Sequence, residues 1–299
     1  MRTLVVLNAR SGTGCGPEHV AQLQALFAGT ALAAELVLAR DGKELLAAAE
    51  RARDQGFGMV VAGGGDGTQS AIASRLAGTD LVQGVLPLGT LNHFAKDLGI
   101  PLQLEEAVRT LAEGRVQQVD VGEVNGRVFI NNSSLGLYPE IVRERELQQV
   151  RLGKSKWRAL ASASLHATEG RPAMAVRVDA AGEQQVRRTP FVFVGNNRYT
   201  MEGLAIGGRD SLQDGLLALY MGRRGGRLAL VQLALRALLK RLRQDEDFEL
   251  ITGPAFVVST TGDRLRVATD GEVNWMDSPL SYRVRPRALR VMVPASDPA

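Results

Sequence analysis

Apolar and polar positions divide the chain into two regimes. In the first third, short apolar runs alternate with helical spacing. Thr3 to Leu7, Glu35 to Ala39, Met59 to Ala62 and Gly84 to Leu88 read as buried strands. Between them, Pro17 to Ala28, the alanine-rich Lys43 to Gln55, and Gln69 to Leu76 read as helices, with Pro17 suited to a first turn. Strand–helix alternation of this kind predicts a parallel sheet covered by helices on both faces.

Near residue 115 the pattern changes. Gln117 to Val124, Val128 to Asn131, Ala173 to Val178, Phe191 to Gly195, Leu216 to Met221, Phe256 to Thr260 and Leu265 to Thr269 are strand-like runs separated by turn residues. They predict an antiparallel β domain. Lys154 to Thr168 and Arg227 to Arg243 interrupt it as basic amphipathic helices, and Ala288 to Val293 is a last strand. Such helices suit either a core with a solvated basic face or an anionic membrane surface.

Composition narrows the picture only a little. The 299 residues are 45% hydrophobic, with a mean hydropathy of −0.05 and a net charge of +4. That is globular composition, and mild basicity suits phosphate ligands, anionic lipid surfaces or nucleic acid alike. Aromatic residues are only 5% of the chain, which argues against a base-stacking platform for single strands, and dispersed basic residues without a recognition motif argue against a nucleic-acid partner. A single cysteine, Cys15, allows no internal disulfide and fits a reducing, cytoplasmic setting. No apolar window is long enough for a transmembrane helix, so a lipid would be met from the water side.

Three loops at strand ends carry the candidate chemistry. Asn8-Ala9-Arg10-Ser11-Gly12 follows the first strand. Gly63-Gly64-Gly65-Asp66-Gly67-Thr68 follows the third, and Leu88-Gly89-Thr90-Leu91-Asn92-His93 the fourth. Glycine lets backbone amides approach a phosphate, and a following helix adds its positive end. Ligands of open α/β sheets bind at such carboxyl ends. Asp66 is placed to order metal-bound water or a basic partner, and Thr68 to cap the next helix or hold phosphate. Asp270, in Thr269-Asp270-Gly271-Glu272, reads by spacing as a turn former or as a catalytic carboxylate. The G-x-x-x-x-G-K-[ST] loop is absent: Gly153-Lys154-Ser155 looks like its tail, but Gln148 stands where its first glycine should be. His19, His93 and His166 show no metal-binding spacing.

Taken in order, NARSG (8–12), GGGDGT (63–68), PLGTLNHFAKDLGIP (87–101), VDVG (119–122), DGLL (214–217) and TDGE (269–272) resemble the diacylglycerol kinase and sphingosine kinase superfamily, in its bacterial lipid kinase branch. GGGDGT alone is shared with NAD kinases and, loosely, phosphofructokinases. The resemblance implies an α/β N-terminal nucleotide-binding domain with a parallel sheet, residues 1–123 plus a returning strand at 286–299. A C-terminal antiparallel β-sandwich acceptor domain, 124–285, would complete it.

The resemblance further implies ATP in the cleft between the domains, with Mg²⁺. Asn8, Ser11, Gly12, Gly64, Gly65, Gly67, Thr68, Gly89, Thr90 and Asn92 would surround the nucleotide. Asp270 would be the general base, Asp66 and Asp120 part of a carboxylate network, and Asp214 the ligand of a structural Mg²⁺. The γ-phosphate would pass to a hydroxyl of a lipid alcohol such as diacylglycerol, at the inner face of the membrane. A homodimer is compatible with this outline. Two departures stand out: Ala9 replaces a frequent proline, and His93 replaces a family carboxylate. An NAD kinase-like activity and a catalytically silent nucleotide-binding regulator are the rival readings.

Overall fold

The computed structural model describes residues 1–12, 15–136, 174–202, 205–222 and 248–295. Two of the expected helices, 154–168 and 227–243, lie outside the described residues, as does His166.

The first regime folds as its pattern predicts. β1 (Arg2–Asn8), α1 (Pro17–Ala28), β2 (Ala33–Ala39), α2 (Gly42–Asp54), β3 (Met59–Gly64), α3 (Asp66–Leu76) and β4 (Val82–Pro87) alternate along the chain. The strands lie parallel in the order β2-β1-β3-β4. Every residue of β3 and β4 is buried, which is why they read as continuous apolar runs. The third helix starts earlier than the spacing suggested: Gly65 is its N-cap, so Asp66, Gly67 and Thr68 form its first turn. Two further helices follow, α4 (His93–Asp97) and α5 (Leu104–Glu113). The second buries Ala107, Val108 and Leu111 at helical spacing, with Glu105 and Glu106 in its first turn.

The second regime is built of antiparallel strands. β5 (Arg115–Val124), β6 (Arg127–Phe129), β7 (Asn132–Gly136), β8 (Met174–Ala180), β9 (Glu183–Thr189) and β10 (Phe191–Asn196) come first. β11 (Tyr199–Glu202), β12 (Ala205–Arg209), β13 (Leu217–Gly222), β14 (Phe248–Gly253), β15 (Ala255–Thr260), β16 (Arg264–Thr269), β17 (Glu272–Asp277) and β18 (Leu280–Val293) follow. One face of the six-stranded sheet β14-β13-β10-β7-β16-β17 packs Leu135, Val192, Val194, Leu219 and Val267 against Val176, Val178, Phe256, Val258 and Leu280 of the larger sheet. The result is a β-sandwich.

β18 joins the two regimes. Its first half alternates, burying Leu280, Tyr282 and Val284, and pairs antiparallel with β15. After a register shift between Arg285 and Leu289 its second half is nearly continuously buried and lies parallel to β4, at Arg290–Val82 and Val291–Gln83. A single strand thus changes from the period of a half-buried sheet to that of a fully buried one.

Candidate active site

The three strand-end loops meet. Asn8 at the end of β1 donates from Nδ2 to Thr68 Oγ1 at 2.9 Å. Thr68 is therefore a partner of the first loop, not the helix cap. Gly64 is buried where a side chain has no room: a Cβ there would collide with Thr68 and lie 2.7 Å from Ser11 Oγ. Leu88 donates its backbone N–H to Gly64 O at 3.2 Å. A Cβ on Gly89 would run into the Cα of Gly65 and sit 2.8 Å from Asn92 Oδ1. Backbone touches backbone between the second and third loops, which only glycine permits.

Asn92 holds the third loop in shape. It adopts φ 50°, accepts from Gly89 N at 3.0 Å, and donates to Gly89 O at 2.8 Å and Pro87 O at 3.2 Å. Beneath the glycines, Gln69 donates to Ala62 O at 2.8 Å, and Gln83 donates to Gln69 Oε1 at 3.1 Å. Gly12, Gly67 and Thr90 are exposed around the rim. Thr68 N already donates to Gly65 O at 2.9 Å, so the amides of Asp66 and Gly67 at the positive end of α3 are the ones that suit an anion.

Asp270 comes to the same helix from the far end of the chain. It occupies the turn between β16 and β17 with φ 47°, so it is a turn residue as well as a candidate for chemistry. Its Oδ2 accepts from Ser70 Oγ at 2.5 Å and from Ile130 N at 2.8 Å. Its Oδ1 accepts from Asn131 N at 2.8 Å and Asn132 N at 3.0 Å. Burial pushes this carboxyl above the ordinary carboxylate range, against the opposing pull of Ser70 and the three amides. Ser70 lies about one helical turn beyond Asp66, about 6 Å along the axis. Sequence reading missed Ser70; its only local signal is a serine in the body of a helix, where that residue is not favoured.

The diacylglycerol kinase catalytic domain family matches residues 2–124, and the YegS C-terminal NAD kinase beta sandwich-like domain family matches residues 140–293. The chain belongs to the family that joins these two domains. A diacylglycerol kinase of Bacillus subtilis is 32% identical over 143 residues, covering 47% of each chain. An Enterobacter protein named "Probable lipid kinase YegS-like" is 41% identical over 100 residues, 32% of this chain and 33% of that one. An uncharacterized Synechocystis protein is 25% identical over 279 residues, covering 90% of this chain and 63% of its own length. The chain thus spans less than two thirds of each of these relatives. A crystal structure of a diacylglycerol kinase from Bacillus anthracis str. Sterne shares the fold, with a TM-score of 0.69 at 17% identity, covering 98% of this chain and 96% of that one.

The remaining family positions are held by backbone amides. Asp66 accepts from His93 N at 3.1 Å and Phe94 N at 3.0 Å, so it ties the glycine loop to the start of α4. His93, where the family carboxylate would stand, contributes its main-chain amide to this tie, and the residue itself is exposed. Asp120 is buried and accepts from Gly215 N at 2.7 Å and Arg287 N at 2.8 Å, binding β5 to the loop before β13 and to the bulge of β18. Asp214 is exposed beside that contact. Among the described residues no three Asp, Glu, His or Cys side chains gather into a metal site. The described carboxylates therefore do not form a protein cage for Mg²⁺.

Proposed function

We propose that the chain is an ATP-dependent lipid kinase, transferring the γ-phosphate to the hydroxyl of a lipid alcohol with Asp270 as general base. The observation that carries this reading is the Ser70–Asp270 hydrogen bond, 2.5 Å long, between the helix that begins at the glycine loop and the carboxylate of the other domain. It links the phosphate end and the proton acceptor of this proposal by one turn of helix.

Phosphoryl transfer asks the protein for positioning and charge stabilisation more than for covalent chemistry. The amides of the glycine loops and the first turn of α3 would hold the triphosphate, with Asn8, Ser11, Thr68 and Thr90 around it. Asp270 would take the acceptor's proton as the acceptor oxygen attacks the γ-phosphorus and the bond to the β,γ-bridging oxygen breaks, releasing ADP. All four acceptor positions of Asp270 are filled, three of them by fixed amides. Ser70 is the one rotatable donor, and so the one that yields its place to the acceptor hydroxyl. The raised pKa of Asp270 helps, because a general base works best when its pKa approaches the working pH. Mg²⁺ would arrive with the triphosphate. No described helix is long and apolar enough to cross a membrane, so the lipid would be met by peripheral contact with its surface.

Incubation with γ-labelled ATP and a total lipid extract, with NAD in a parallel reaction, tests the proposal. Label in an organic-soluble phospholipid is the expected result. Label in NADP instead, or nucleotide binding without transfer to any lipid, refutes it in favour of one of the rival readings.

A second test concerns protons. The Ser70 hydrogen bond pulls the Asp270 pKa down, so its removal lets the pKa rise further. In Ser70→Ala the acidic limb of the pH–rate profile is expected to move to higher pH, with turnover at neutral pH reduced. An unmoved limb separates Ser70 from the base.

A further inference from the structure

Building on the proposed role of Asp270, we propose that the buried Asp97–Arg209 ion pair is the device that aims its carboxylate. Arg209, at the end of β12, has a side chain with 0% exposure, and that of Asp97, at the end of α4, has 6%. Four of the guanidinium N–H groups donate hydrogen bonds, and the ion pair with Asp97 adds a further close contact. Nε donates to Asp97 Oδ2 at 2.8 Å, and one terminal nitrogen reaches Asp97 Oδ2 at 2.7 Å and Asn131 Oδ1 at 2.8 Å. The other donates to Ile130 O at 2.6 Å and Asn196 O at 3.1 Å.

The decisive contact is the one to Ile130 O. That carbonyl and the Asn131 N–H belong to one planar peptide unit, and the Asn131 N–H is a donor to Asp270 Oδ1 at 2.8 Å. Holding the oxygen end fixes where the hydrogen end points. A cation on the carbonyl also polarises the peptide and makes its N–H a stronger donor. The next peptide repeats the arrangement: Tyr199 Oη donates to Asn131 O at 3.1 Å, while Asn132 N donates to Asp270 Oδ1 at 3.0 Å. Asn196 Nδ2 adds a second grip on Ile130 O at 2.9 Å.

Asp97 brings the nucleotide side into this chain. It ends the helix that follows the Gly89–Asn92 loop and whose first amides are held by Asp66. A continuous series runs from the glycine loop through Asp66, α4, Asp97, Arg209 and the 130–131 peptide to Asp270. It is a second path beside Ser70. A buried ion pair is an expensive way to gain stability alone, since apolar packing of similar volume often does as well.

The side chains that act on Asp270 are Ser70, by hydrogen bond, and Arg209 and Tyr199, by charge, with Asp97 behind Arg209. Arg209→Lys keeps the charge but lacks the fork, so it cannot bridge Asp97 and both backbone carbonyls. Asp97→Asn removes the counter-charge without changing volume. Steady-state transfer kinetics on both variants and wild type should show turnover down at least tenfold with the ATP KM within threefold. In parallel, carboxyl carbon NMR of aspartate-labelled protein should show Asp270 titrating at higher pH in Arg209→Lys than in wild type. Folded variants with wild-type turnover and an unmoved Asp270 titration overturn the proposal. If neither variant folds, the pair is a folding element, which overturns it as well. Should wild type transfer phosphate to no lipid, the kinase reading fails, and the titration still decides the positioning role.

Discussion

Asp270→Asn is expected to lower phosphoryl transfer by about 10²–10⁴-fold, the usual worth of general-base assistance. It is also expected to lower the melting temperature, a result the isosteric exchange would not by itself suggest. The carboxylate accepts four hydrogen bonds, two on each oxygen. An amide offers one oxygen and an NH₂ group that only donates. If the NH₂ group takes the Oδ1 position it meets Asn131 N–H and Asn132 N–H. If it takes the Oδ2 position, Ser70 can turn to accept, but Ile130 N–H is left unpaired. An unpaired buried donor costs about 1–3 kcal/mol, which for a chain of this size lowers the melting temperature by a few degrees. Kinetics and thermal melts on one preparation check both halves. Transfer within a few-fold of wild type removes Asp270 from the chemistry, whatever the melt shows.

Gly89→Ala is expected to weaken ATP binding by at least about tenfold, or about 1.4 kcal/mol. The added methyl would run into the Gly65 Cα and crowd Asn92 Oδ1, so one loop must move away from the other. Overpacking of this kind costs about 1–3 kcal/mol, and here it falls on the two loops that are to grip the phosphates. Titration calorimetry with ATP measures it. Gly42→Ala is the control: it has the same chemistry, nothing within 4 Å of the added Cβ and a place in α2, and it should bind ATP as wild type does. Equal affinity in both variants would mean that the glycine loops do not hold the nucleotide.

The parallel half was legible because its strands are buried on both faces, so Val5, Val60 or Val85 each stands in a run that reads as interior without ambiguity. β9 and β17 were not, because both are edge strands. Their sequences, EQQVRRT and EVNWMD, carry the polar residues that keep an open edge from pairing with other chains. β18 was read only from Ala288 onward, since its first half alternates with Arg283 and Arg285. Within the site, the glycine loops announced themselves through local composition. Ser70 and Asp270 meet across 200 positions, and Asp97 and Arg209 across 112. No spacing rule covers such distances, and a lone Arg after two glycines has no local mark of burial. His93 was legible as a departure, but its exposed position and the use of its main-chain amide were not.

The shared strand β18 sets an order of events in synthesis. β4 emerges at residues 82–87, and the partner that covers its outer side emerges only at Arg290 and Val291. Until then the parallel sheet carries a raw edge of buried-type residues, Val82 to Pro87, on the ribosome-bound chain. Open edges of this composition invite pairing with neighbouring chains. At about 5–20 residues per second, the roughly two hundred intervening residues leave that edge open for ten seconds or more. Closure of both halves therefore waits for β18, and a nascent chain stalled before residue 280 has neither half complete.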